Sequence, residues 1–170
     1  MGIDGKCVCD PVFLLSRDYW DDIAITVDET RYLFLYDFDK NQQLEKKVKK
    51  IAKERNLKIY SFFKSKVADK SFENEGPREF IGLIKNADIV ISNSFHATVF
   101  ALIYEKPFYV VNRMEKINSR MNDLIKELGL KQENDFIDYQ SVNEILKKKI
   151  VYLHCKLKNN YLCTSLIKII

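Results

Sequence analysis

The chain has 170 residues, 46% of them hydrophobic and 31% charged, with a formal net charge of +4. That length suits one domain with a proper core, and the composition is that of a globular protein rather than a disordered, collagenous or disulfide-stapled one. No stretch approaches the roughly 18 consecutive apolar residues of a membrane span, and the N-terminus lacks the apolar core of a signal peptide, so the cytoplasm is the expected compartment; the mild positive charge would suit anionic substrates or the inner membrane face but argues for neither.

There are four cysteines, Cys7, Cys9, Cys155 and Cys163. Neither the Cys7-x-Cys9 pair nor Cys155 with Cys163 has a common zinc spacing, and His154 beside Cys155 does not supply one, so free thiols and no metal are expected. From Cys9 to Leu15 the chain is mostly apolar, and Pro11 forces Asp10 into an extended conformation. Ser16 then caps a short helix bearing Tyr19, Trp20, Ile23 and Ala24.

The run Arg31 to Tyr36 reads as the first buried strand of a parallel sheet. A helix follows from Lys40 to Arg55, with Leu44, Val48, Ile51 and Ala52 inward and Lys46, Lys47, Lys49, Lys50 and Lys53 outward. Those lysines lack the aromatic interleaving of a nucleic-acid surface and read as a solvated face. Leu57 to Phe62 is a second strand, completing a right-handed β-α-β unit. Lys64 to Glu75 is too polar for core and reads as a loop. Gly76 and Pro77 then open a helix that turns Phe80, Ile81, Ile84 and Ala87 inward.

The stretch from Asp88 to Ala101 carries the chemistry. Ile89, Val90 and Ile91 form a buried strand that breaks into Ser92, Asn93 and Ser94, residues that favour helix caps. Phe95, Val99, Leu102 and Ile103 then mark one apolar stripe of a helix. With Ser94 as N-cap, His96 lies in the first turn, where unpaired amides and the positive end of the dipole face the carboxyl edge of the sheet. A phosphate or carboxylate suits that place. Taken from its position alone, His96 could equally be a helix-start histidine packed on the sheet.

Pro107 to Val111 is another buried strand, ending at Asn112 and Arg113. Asn118, Ser119 and Arg120 open a helix with Met121, Leu124, Ile125 and Leu128 on one side, stopped by Gly129. An arginine in a first turn opposes the macrodipole, so Arg120 is either a solvated surface residue or one that answers a nearby anion. Phe136 and Ile137 read as a last short strand, and Ser141 to Glu144 as a capping box. The expected fold is therefore α/β, a Rossmann-like parallel sheet flanked by helices.

Leu83 to Asp88, Ser94-Phe95-His96-Ala97-Thr98 and Glu105-Lys106-Pro107-Phe108 together resemble the signature of the polysaccharide pyruvyl transferase family. The resemblance covers about residues 9 to 149, with Ser94 to Thr98 its most specific part. It implies the C-terminal lobe of a two-lobed glycosyltransferase-like fold, with residues 1–30 as the interlobe crossing and a short helix. Residues 31–149 would be the donor-binding domain, and 150–170 an atypical tail. It also implies transfer of pyruvate from phosphoenolpyruvate, the donor substrate, to two sugar hydroxyls as a ketal in surface polysaccharide synthesis, with no cofactor.

On that basis His96 is the expected acid–base or phosphate-binding group, with Arg113 and Arg120 as anion clamps. Asn93, Ser94 and Thr98 would add hydrogen bonds, and Gly76 and Pro77 would line the pocket. The expected partners are phosphoenolpyruvate, a sugar or lipid-linked oligosaccharide acceptor, and a separate N-terminal lobe or a second copy of the chain. Nucleic acid is not expected. Two departures stand out: some branches of the family have Arg-Leu-His in place of Ser94-Phe95-His96, and Ala97 replaces the usual glycine. The competing readings are a nucleotide-sugar-binding glycosyltransferase domain and a shortened relic or interaction domain that no longer turns over.

Overall fold

The computed structural model describes residues 10–27, 31–40 and 42–110, together with Met121 and Leu124. The expected helix ends, strand and capping box beyond Val110, the tail from residue 150, and all four cysteines lie outside these residues, apart from Met121, which is buried, and Leu124, which packs against the core.

A one-turn 3-10 helix (Pro11–Leu14) leads into α1 (Arg17–Ile23), each entered through the expected residue. Asp10 is extended and its carboxylate accepts from Val12 N–H, while the Ser16 hydroxyl accepts from Tyr19 N–H. The rest is an alternation of strand and helix: β1 (Tyr32–Tyr36), α2 (Gln42–Arg55), β2 (Lys58–Ser61), β3 (Lys70–Ser71), α3 (Pro77–Asn86), β4 (Ile89–Ser92), α4 (Phe95–Ile103) and β5 (Phe108–Val110). All five strands are parallel, in the order β3-β2-β1-β4-β5. This is a Rossmann-like α/β sheet. The order reverses beside β1, so the crevice between the carboxyl ends of β1 and β4 is the place where such sheets bind ligands.

Strands read as unbroken apolar runs because both sheet faces are covered. Along β1, Tyr32 and Phe34 face the layer of α3 and α4, while Leu33 and Leu35 face Leu44, Val48 and Ala52 of α2. At the amino edge Asp88 ties the inner strands together. It accepts from the Arg31 guanidinium at 3.0 Å and from Tyr32 N–H at 3.2 Å.

Two expectations change. The polar stretch from Lys64 to Glu75 contains the edge strand β3, held by Ile59 N–H to the Asp69 carboxylate at 2.7 Å and Phe72 N–H to Ser61 O at 2.9 Å. A two-residue, lysine-bearing edge strand has no apolar run to reveal it, because one side of it meets water. The apolar stripe expected on α4 is instead a nearly complete ring. Ala97 through Leu102 are all buried while Phe95 and Ile103 are only partly so, since the sheet, α3 and Trp20 enclose the helix from several sides.

Candidate active site

Since each helix here runs antiparallel to the strands, α2, α3 and α4 all present their N-termini at the carboxyl edge. Their first turns differ in charge. Glu45 stands in the first turn of α2 and Glu79 in that of α3, where its carboxylate accepts from Gly76 N–H at 3.0 Å. The first turn of α4 holds no acidic residue. Its start is therefore the better seat for an anion, with the amides of Phe95, His96 and Ala97 having no carbonyl of their own helix to bond.

β4 delivers Ser92, Asn93 and Ser94 to this edge. The Ser92 hydroxyl accepts from Ser94 N–H at 2.8 Å and closes the turn into α4. Ser94 is the N-cap, and its carbonyl accepts both Thr98 N–H, at 3.2 Å, and the Thr98 hydroxyl, at 3.0 Å. Thr98 is thus buried beneath the first turn. His96 points the other way: half of its side chain is exposed, and Nε2 stands 3.4 Å from the Asp10 carboxylate. Phe95 packs against the imidazole edge, with ring centroids 5.6 Å apart.

Asn93 is buried, and its amide is spent within the fold. Its Nδ2 donates to the Asp37 carboxylate at 2.6 Å and to that of Asp39 at 3.2 Å, while Oδ1 accepts from Phe38 N–H at 3.1 Å. It pins the loop after β1 to the end of β4, across the switch point. That loop continues to Lys40, a non-glycine residue held in the left-handed region at φ 50°. Beside it Tyr36, Phe38, Phe62, Phe63 and Phe80 form a ring cluster with neighbouring centroids about 5 to 6 Å apart, and Phe38 stays 48% exposed. Burial pushes the Tyr36 phenol above its ordinary range, so it stays neutral. A shallow polar recess lies beyond β1 and β2, lined by Asp37, Lys40, Glu45, Ser61 and Lys64.

Ser94 and His96 therefore meet at the crevice, with Asn93 behind them and Thr98 beneath. Gly76 and Pro77 begin α3 on the same edge of the sheet. Arg113 and Arg120 lie outside the described residues. Sequence reasoning assigned no site role to three acidic side chains. Asp37 and Asp39 follow an apolar strand at its carboxyl end, which is a usable signal; Asp10 gave only its place before a proline. Among the described residues no cluster of three or more metal-ligating side chains occurs, and no helix is long and apolar enough to cross a membrane.

A parallel sheet ordered in this way, with polar groups and a helix start at its switch point, defines an open Rossmann-like α/β domain, a class whose ligand crevice lies at that point. The family model for polysaccharide pyruvyl transferase matches residues 1–113, well over half of the chain. The chain belongs to the polysaccharide pyruvyl transferase family. Arg113 is the last matched residue, and Arg120 falls beyond it.

Among solved structures, the chain is similar to UDP-GlcNAc 2-epimerase from Methanocaldococcus jannaschii, at 16% identity and a TM-score of 0.45, over 72% of this chain and 44% of that one. A second structure of the Methanocaldococcus jannaschii enzyme, in complex with UDP-GlcNAc and UDP, gives 14% identity and a TM-score of 0.43, over 84% and 49%. The chain thus spans about half the length of each. No individually curated protein matches the sequence.

Proposed function

We propose that this chain is the donor-binding, C-terminal half of a pyruvyl transferase, and that it holds phosphoenolpyruvate at the start of α4. What carries the reading is the half-exposed His96 in a first turn without acidic residues, at the switch point of a chain that belongs to this family. The donor has a phosphate and a carboxylate. Helix-start amides suit one of these groups, and the guanidiniums of Arg113 and Arg120 would neutralise the other.

The transfer adds a proton to the donor's methylene carbon and leaves a cationic centre at the neighbouring carbon. One sugar hydroxyl adds there and gives up its proton; the second displaces phosphate, which leaves with the remaining proton. His96 would deliver and recover these protons. The acceptor is a sugar hydroxyl pair on a saccharide or lipid-linked oligosaccharide, which a further lobe or partner chain would hold on the open side of the crevice.

The test is thermal unfolding of the full chain with phosphoenolpyruvate, run beside UDP- and GDP-sugars. At a concentration about a hundred times Kd a ligand stabilises the folded state by about 2.7 kcal/mol. The expected result is a rise in Tm of several degrees with phosphoenolpyruvate that is much smaller, though still measurable, in His96→Ala. No rise at millimolar donor, or a rise with a nucleotide sugar instead, overturns the reading.

A further inference from the structure

Residues 10–27, ahead of β1, are not loosely attached. Trp20 lies edge-on to Phe100 of α4 with ring centroids 5.0 Å apart, and its indole N–H donates to Val12 O at 3.3 Å. Lys85 of α3 pairs with Asp21 at 2.8 Å, and the Arg78 guanidinium donates to Ile23 O at 2.9 Å. Ile25 N–H in turn donates to Arg78 O at 3.2 Å. These contacts strap residues 10–27 across α3 and α4 and bring Asp10 to the start of α4.

Asp10 is itself held. Its Oδ1 accepts from Val12 N–H at 3.1 Å, its side chain is only 14% exposed, and Oδ2 stands 3.4 Å from His96 Nε2. We propose that Asp10 is a positioning residue for His96: it keeps the imidazole turned with Nε2–H toward the carboxylate, so that Nδ1 is the nitrogen that meets the ligand. This rests on the role given to His96 above. An ionised carboxylate only accepts hydrogen bonds, so the nitrogen facing it is the one that carries hydrogen. In a neutral imidazole the lone pair then falls on Nδ1, and a half-exposed side chain that would otherwise sample several rotamers is held in one.

Asp10→Asn is the variant of choice, because asparagine caps as well as aspartate and keeps an oxygen for Val12 N–H. Two readouts separate the outcomes. The first needs no ligand: nitrogen chemical shifts of the labelled full chain at about pH 9, with His154→Gln to assign His96. The wild type should show one limiting form, Nε2 protonated and Nδ1 bare, and Asp10→Asn a shift away from it toward the other tautomer, because the asparagine Nδ2 that replaces Oδ2 can only donate. Identical averaged shifts in both proteins overturn the proposal, whether or not phosphoenolpyruvate binds.

The second readout is affinity for phosphoenolpyruvate. Loss of one held rotamer should weaken binding about threefold to tenfold in Asp10→Asn. In a His96→Ala background the same change should leave affinity unchanged or improve it, since only a repelling charge is removed. An equal loss in both backgrounds makes Asp10 merely structural and overturns the proposal. If the wild type does not bind the donor, the functional reading fails, while the nitrogen shifts still decide what Asp10 does.

Discussion

Asn93 makes three side-chain hydrogen bonds from a buried position, two to carboxylates after β1 and one from Phe38 N–H. Hydrogen bonds to charged groups contribute about 1.5–3 kcal/mol each, and buried groups that lose a partner cost a similar amount. Asn93→Ala should therefore lower the unfolding free energy by about 2–4 kcal/mol. Asn93→Asp should cost more, because it sets a third carboxylate against Asp37 and Asp39. Urea unfolding of both variants checks the order; an Asn93→Asp protein as stable as the wild type would mean that the loop after β1 is not held from β4. His96 and Ser94 could be placed from sequence because a β-branched run ending in cap residues fixes where a strand gives way to a helix. The partners of Asn93 and His96 could not, since Asp37 is 56 residues away and Asp10 reaches the site only through the path of the strap.

At the level of elements, β1, β2, β4 and the helices between them were legible because each is a hydrophobic pattern whose period survives in the sequence. The strap across α3 and α4 left no such pattern. Its short helix after Ser16 could be read, but its path could be traced only from Gly82, in the middle of an amphipathic helix where glycine is unfavourable by about 1 kcal/mol. The structure supplies the reason: a Cβ at residue 82 would lie 2.0 Å from Ile25 O. Gly82→Ala therefore gains helix propensity yet must push the strap's backbone off α3, and a net loss of about 1–3 kcal/mol is expected. Trp20 is the single tryptophan of the chain and sits on that strap against Phe100. Its emission should shift to the red in Gly82→Ala, as the indole meets more water. Unchanged emission with unchanged Tm would show that the strap yields without leaving the helix.

Across the whole molecule, the sheet divides the core into two unlike halves. The α2 side is mostly leucine, isoleucine and valine, with Ala52 and one aromatic ring, Tyr109, whereas Tyr32, Phe34, Tyr60, Phe100, Tyr104 and Phe108 lie in the half with α3 and α4 that also carries the strap and His96. That aromatic half contains buried phenols. Tyr32 donates its hydroxyl to Leu83 O at 2.7 Å, and burial, reinforced by Tyr60 and Asp88, raises its pKa far above the ordinary tyrosine value. Burial, with Asp21 adding to it and Arg17 opposing, pushes Tyr104 up to about 12. In the unfolded chain both ionise near pH 10. Above that pH the unfolded state holds fewer protons than the folded one, so stability falls as pH rises. The contribution of Tyr104 is thus complete below about pH 10 and lost between about 10 and 12, while that of Tyr32 is lost over a wider span. Urea midpoints measured at steps from about pH 8 to 11.5 should be level at first and then decline. Tyr104→Phe and Tyr32→Phe should each flatten a similar part of the decline, and Tyr32→Phe should also lower the neutral-pH midpoint through the lost bond to Leu83. Because the strap is anchored in this same half, Trp20 emission should follow the alkaline transition with the same midpoint as backbone circular dichroism. An earlier change in emission would make the strap a separate unit that opens before the sheet, and Asp10 would then leave His96 while the fold beneath it still stood.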